Sequence, residues 1–125
     1  MATMLVFNMD GARRAKLNML CMRHRIRIRA VEPEEFGLTL GALCGKTEAG
    51  EKAEVAPFEE EMIVMADFTT TLANAFLMGW RQMKQKPIRL KAVLMPTNVG
   101  WTAAELYREL DEENRAVTAG GQAHT

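Results

Sequence analysis

The sequence predicts an α/β fold: a small four-stranded, mostly parallel sheet of strand order 2-1-3-4 with helices on both faces. Three observations support this prediction. Apolar runs suited to strands alternate along the chain with amphipathic stretches suited to helices. The first and third runs, MLVF and MIVM, are apolar on both faces, as buried central strands are. The second and fourth runs alternate in polarity, which is typical of strands at the edge of a sheet.

One alternative architecture shares the central position of the first and third strands. It is the ferredoxin-like split βαβ sheet of order 4-1-3-2, which leaves one face of the sheet open. That layout favours alternating polarity in the central strands and a short hairpin between the second and third strands. The apolar central runs and the long connection of about 29 residues favour the mostly parallel sheet instead.

In the first half of the chain, the run TMLVFNM predicts a strand over 3–9. It ends at Asp10, a typical helix N-cap, and helical spacing of apolar residues then predicts a helix over 11–23. The strictly alternating run RIRIRAV predicts a half-buried edge strand over 25–31. A short helical turn is predicted over 36–45.

The later elements continue the alternation: a strand over 61–67, a helix over 68–86, a strand over 87–96 and a helix over 102–116. Between the halves, the polar, Gly-bearing stretch 46–57 predicts a mobile surface loop. We therefore predict one domain over 1–117 and a disordered tail over 118–125. No internal repeat of clear period is recognisable.

Composition excludes several classes of function. No apolar run is long enough for a membrane span, and the N-terminus does not resemble a signal peptide, so a soluble cytoplasmic protein is expected. Cys21 and Cys44 lack the spacing of a metal site, as do His24 and His124. We predict no metal and no cofactor. Since no catalytic motif is recognisable either, we predict a domain without catalysis.

The carboxyl ends of the first and third strands predict a ligand site. In a parallel sheet of this order the topological switch lies between these strands, so Asp10, Asp67 and Thr69 would meet at one crevice. Two carboxylates there could hold hydrated Mg²⁺, and Lys91 could help bind a phosphate. The alternative is that both aspartates only cap helices and that Lys91 extends to water or forms an ion pair.

The corner after the fourth strand admits two interpretations. Thr102 and Glu105 have the spacing of a capping box, and Trp101 and Leu106 that of a hydrophobic staple. In this interpretation the corner only starts a helix, with Asn98 as a turn residue. In the other, Asn98 and Trp101 line a pocket beyond the strand ends.

The stretch PIRLKAVLMPTNVGWTAAELYRELDEEN resembles the C-terminal signature of a bacterial domain-of-unknown-function family, number 3783. The matching positions are Lys91, Ala92, Val93, Leu94, Asn98, Trp101, Thr102, Glu105 and Leu106. Met95 stands where the signature has Thr. MLVFNMDG and EMIVMADF resemble the first and third strands of the family. The resemblance implies no particular activity.

Three functions remain after these exclusions. The first is a regulatory or protein-interaction module, whose partner is a second copy of the chain in a homodimer or another protein. An exposed Met cluster near Met78 and Met83 would favour it, although core packing explains most methionines. The second is a ligand- or phosphate-responsive domain using the strand ends. The third is nucleic-acid binding through Arg25, Arg27 and Arg29, which is not favoured because no aromatic residue interleaves them.

Overall fold

The computed structural model describes residues 1–124, and the side chains as far as residue 117. Four strands form a sheet in the predicted order β2-β1-β3-β4. The strands are β1 (Thr3–Phe7), β2 (Arg27–Val31), β3 (Met62–Ala66) and β4 (Leu90–Val93). The helices are α1 (Gly11–Arg23), α2 (Leu40–Leu43), α3 (Thr70–Gln82) and α4 (Ala103–His124), with a short 3₁₀ helix over Pro33–Glu35.

Both faces of the sheet are covered, as predicted. Every residue of β1 and β3 is buried, because successive side chains point into two separate apolar clusters. On one face, α1 and α3 contribute Leu17, Phe76 and Trp80 to the first cluster. On the other, Phe36 and Leu106 belong to the cluster beneath α2 and α4. These two layers exclude the open-faced split βαβ alternative.

The two central strands run antiparallel, which corrects one expectation. β1 pairs with β2 in parallel and β3 with β4 in parallel, but Thr3 lies opposite Ala66 and Phe7 opposite Met62. The carboxyl ends of β1 and β3 therefore lie at opposite ends of the sheet, and the predicted shared crevice does not form. The error arose because a run that is apolar on both faces identifies a central strand without indicating its direction.

The chain contains a structural repeat that the sequence analysis missed. Each half is a βαβ unit, and the spacing along the chain that separates β1 from β3 also separates α1 from α3. The backbone is left-handed after each first strand, at Asn8 (φ 59°) and Asp67 (φ 63°). It is left-handed again after each helix, at Arg25 (φ 57°) and Lys84 (φ 57°). The antiparallel pairing of β1 with β3 relates the two units by an approximate two-fold axis.

The loops after β2 and β4 meet in a matching pair of backbone contacts. Both carry the pattern Pro-x-x-x-Gly-x-Thr, at 33–39 and at 96–102. The Leu40 amide donates to the Trp101 carbonyl (2.8 Å), and the equivalent Ala103 amide donates to the Leu38 carbonyl (3.3 Å). We call this contact the seam. Because these repeated hydrogen bonds use backbone groups, they do not require the same residue types in the two halves.

Some predicted boundaries shift because of local backbone geometry. The predicted helix 11–23 is confirmed, but β2 begins at Arg27 rather than at residue 25. The amides of Arg25 and Ile26 donate to the Met22 and Cys21 carbonyls, which is the Schellman ending of a helix. Residues 25 and 26 therefore belong to the turn that reverses the chain after α1.

Two further predictions concern the loop and the tail. Residues 49–59 have no helix or strand, as predicted for the loop over 46–57, and the Ala53 amide donates to the Gly37 carbonyl (3.1 Å). The mobility of this loop stays a prediction. The backbone of α4 continues as far as His124, beyond the predicted end of the last helix. The side chains of the predicted disordered tail, 118–125, lie outside the described residues.

Candidate functional site

The two aspartates of the predicted ligand site, Asp10 and Asp67, lie at opposite ends of the sheet, each beside its own cavity. Asp10 precedes α1 without a side-chain capping bond and borders a cavity of about 220 Å³. Asp67 borders one of about 400 Å³ and forms a salt bridge with Lys46 (2.6 Å). The hydrogen bond from Lys46 holds the pKa of the Asp67 carboxyl below its usual value. The structure does not bring the two carboxylates together.

Thr69 and Asn98 already have hydrogen-bond partners in the backbone. The Thr69 hydroxyl accepts from the Leu72 amide (3.0 Å) and so caps α3. Asn98 is buried; its Oδ1 accepts from the Met95 amide (2.8 Å) and its Nδ2 donates to the Val93 carbonyl (3.0 Å). These bonds give Thr69 a structural role after β3 and Asn98 a structural role after β4.

The Trp101 corner has the geometry of a helix start. The Thr102 amide donates to the Glu105 carboxylate (3.0 Å), and the Glu105 amide donates to the Thr102 hydroxyl (3.1 Å), which is the predicted capping box. Trp101 packs against the same apolar cluster as Leu106, as a staple requires. The Trp101 carbonyl also accepts the seam bond from Leu40. The signature residues thus hold the two halves together.

The three predicted arginines do not form one continuous stripe. Arg25 lies in the turn after α1, Arg27 is exposed on β2, and Arg29 forms a salt bridge with Glu35 (2.8 Å). The Glu32 amide and the Arg29 guanidinium lower the pKa of the Glu35 carboxyl. Nucleic-acid binding through these residues stays a prediction, and the pairing of Arg29 with Glu35 removes part of the free charge on which it depended.

Lys91 lies away from both strand ends. It is on β4, on the face towards α3, and its ammonium donates to the Ile88 carbonyl. Among residues 1–117 no carboxylate pairs with it, and burial lowers the pKa of its ammonium. The position next to Trp80 and Arg81 is one that the sequence analysis did not foresee.

The most distinctive surface was located only in part from the sequence, at Met78, whereas Met83 packs against the core. Leu20 of α1 contacts α3 at Gly79, where an added Cβ would lie 2.7 Å from a Leu20 methyl carbon. The helices thus form one layer, whose exposed side we call the α1/α3 face. Exposed apolar and cationic side chains define this face: Met19, Met22, Met78, Lys16, Arg23 and Arg81.

Charge is segregated between the two sides of the sheet. Neither α1 nor α3 contains an acidic residue. Acidic residues instead concentrate in the 3₁₀ helix, the 46–60 part of the connection and α4: Glu32, Glu34, Glu35, Glu48, Glu51, Glu54, Glu59, Glu60, Glu105, Glu109, Asp111, Glu112 and Glu113. Glu61 is an exception, since it pairs with Arg13 of α1 (2.6 Å). The block of arginines followed by glutamates was visible in the sequence, but only the antiparallel strands place α1 and α3 on one side.

The described residues contain no candidate metal cluster and no candidate membrane-spanning helix. Among these residues, no three His, Cys, Asp or Glu side chains come close enough to hold a metal ion. In the same part of the chain, no helix has both the length and the apolar character required to cross a bilayer. Both cysteines are free, Cys21 buried and Cys44 partly exposed.

The fold therefore defines a small α/β domain built of two like βαβ units. Residues 61–117 match the family model described as Domain of unknown function (DUF3783), which confirms the resemblance predicted from the sequence. The match covers β3, α3, β4 and the part of α4 up to residue 117, which is the second unit of the repeat. Searches of curated proteins and of solved structures find no match.

Proposed function

We propose that this protein is an interaction module without catalysis, and that it binds an acidic partner protein through the α1/α3 face. The observation that carries the proposal is the coincidence of exposed methionines with two helices that contain no acidic residue. Methionine is adaptable and is common at surfaces that bind other proteins. Met22 is 78% exposed, and Met19 and Met78 are each 59% exposed.

The position of the methionines supports a single docking surface. Met19 and Met78 immediately precede Leu20 and Gly79, the residues at which α1 and α3 touch. Met22 follows one turn after Met19 on the same side of α1. Apolar side chains gathered at a helix crossing and flanked by cations are suited to a partner that presents apolar groups among carboxylates.

Charge complementarity favours an acidic partner over a second copy of the chain. Two α1/α3 faces placed together would bring Lys16, Arg23 and Arg81 against the same cations of the other copy. Contact between this face and the acidic α4 side of another copy would be head to tail, and such contacts give rings or filaments rather than a closed dimer. A nucleic acid would match the charge but not the methionines, since no aromatic residue is exposed on the face.

We also place the protein in the bacterial cytoplasm. The free cysteines Cys21 and Cys44 are consistent with a reducing compartment.

The experiment is site-specific photo-crosslinking in the cells that make the protein naturally. A photoreactive amino acid replaces Met19 in one variant and the exposed Glu112 of α4 in another. We expect a protein adduct from position 19 whose crosslinked peptide is rich in Asp and Glu, and none from position 112. The yield should fall at least about fivefold when Lys16→Glu and Arg23→Glu are added together, because opposed charges across the contact become like charges.

The control removes two cations from the other side of the molecule. Lys52 and Arg108 are exposed there, so Lys52→Glu/Arg108→Glu should leave the yield unchanged. An adduct from position 112 alone, a chain-to-chain adduct, a nucleic-acid adduct or no adduct at position 19 would each overturn the proposal.

A further inference from the structure

A partly enclosed cavity of about 170 Å³ lies between the end of α3 and the edge strand β4. Its walls are apolar and come from Leu77, Trp80, Pro87 and Ile88. It is separate from the strand-end cavities beside Asp10 and Asp67, and it lies beside the α1/α3 face rather than on the helix crossing. Small-molecule sites commonly have apolar walls and a few convergent polar groups.

The Trp80 wall is fixed by contacts outside the cavity. Its indole Nε1 donates to the Lys86 carbonyl (3.1 Å), and the Arg13 guanidinium lies over the ring at 5.1 Å from the centroid. Arg13 in turn pairs with Glu61 (2.6 Å) and donates to the Lys86 carbonyl (3.0 Å). An indole that is 4% exposed and held in this way needs no reorganisation to receive a ligand.

The polar lining of the cavity is cationic or neutral throughout. Lys91, Arg81 and Gln85 supply N–H donors, and no carboxylate of residues 1–117 lines the cavity. The Lys91 ammonium has only the Ile88 carbonyl as an acceptor among the described residues. Desolvation lowers its pKa, since no described carboxylate offsets the cost of burying the charge. An anion bound beside it would provide the missing counter-charge.

We propose that this cavity binds a small organic carboxylate with a flat apolar body. The body lies between Trp80 and Ile88, and the carboxylate accepts from the Lys91 ammonium, with Arg81 at the rim. A bare inorganic anion would leave the apolar walls unused, and a neutral ligand would leave Lys91 without a counter-charge. The proposal does not depend on the interaction module, because the ligand differs and, apart from Arg81 at the rim, so do the residues that hold it.

The test is titration of the full chain with benzoate, followed by NMR of the indole N–H resonances. Benzoate should shift the Trp80 resonance saturably with a Kd of about 1 mM, typical of so small a ligand, and should leave that of Trp101 in place. Benzamide has the same shape without the charge and should bind at least about tenfold more weakly. Chloride should have no effect.

Two substitutions separate the Lys91 charge from general electrostatics. Lys91→Met keeps an unbranched apolar stem without the ammonium and should weaken benzoate binding about tenfold, whereas Lys52→Met, in the distant connection, should not change it. Equal binding of benzoate and benzamide overturns the proposal, and so do shifts of both indole N–H resonances that do not saturate with benzoate. Neither result requires Lys91→Met to fold. Undiminished binding to a folded Lys91→Met protein also overturns it.

Discussion

Gly37 and Gly100 occupy equivalent positions in the two halves of the chain, but only Gly37 is enclosed. A Cβ at Gly37 would overlap the Ala53 carbonyl, whereas nothing lies within 4 Å of one at Gly100. The Ala53 amide also donates to the Gly37 carbonyl (3.1 Å). The connection between the halves is therefore packed closely against the first unit at Gly37.

This difference predicts that the same substitution destabilises the protein at Gly37 and has little effect at Gly100. Gly37→Ala must displace the backbone at Ala53 and should lower the free energy of unfolding by about 1–3 kcal/mol, as overpacking does. Gly100→Ala, the matched control, should leave it within about 0.5 kcal/mol. Urea denaturation of both variants measures the effects. Equal stability of the two variants would show that the connection does not pack against Gly37.

The seam loop depends on Asn98. Asn98→Ala leaves the Met95 amide and the Val93 carbonyl without their side-chain partner, so the free energy of unfolding should fall by about 1–3 kcal/mol. Asn74→Ala, an exposed change on α3, is the control and should have little effect. Thermal unfolding followed by circular dichroism compares them. If both variants unfold at the same temperature as the wild type, Asn98 does not have the structural role described.

The two cysteines should differ in reactivity and in their effect on stability. Burial raises the pKa of Cys21 to about 12 and also raises the pKa of Cys44, which is only partly buried. Because the thiolate is the reactive form, iodoacetamide should modify Cys44 first in the native protein. Modification of Cys21 at the same rate as Cys44 would contradict the packing of α1.

Cys21 also predicts a pH dependence of stability. The folded state keeps this thiol protonated, while the unfolded chain releases the proton above the ordinary pKa of 9.0. The stabilisation is therefore complete below pH 9.0 and is lost as pH rises towards about 12. Urea denaturation across this range should show a smaller decline for Cys21→Ala than for the wild type. Identical slopes would count against a buried thiol.

The strand order could be predicted because β1 and β3, which are buried on both faces, have apolar residues at consecutive positions. The capping box could be predicted because the residue types and spacing of Thr102 and Glu105 are specific. The same apolar pattern does not indicate strand direction. The prediction that Asp10 and Asp67 share one crevice was wrong for that reason. The repeat was hidden because the seam uses backbone groups, so little beyond Pro, Gly and Thr is common to the two loops.

Because β1 and β3 are antiparallel, α1 and α3 lie on the same side of the sheet. The most direct measurement is the distance between spin labels on Asp10→Cys and Asp67→Cys, in a chain whose native cysteines are replaced. A five-residue strand spans roughly 17 Å, so the labels on opposite ends of the sheet should be farther apart than that. A distance shorter than the length of β1 would mean that the two strands end together, which would contradict the arrangement described.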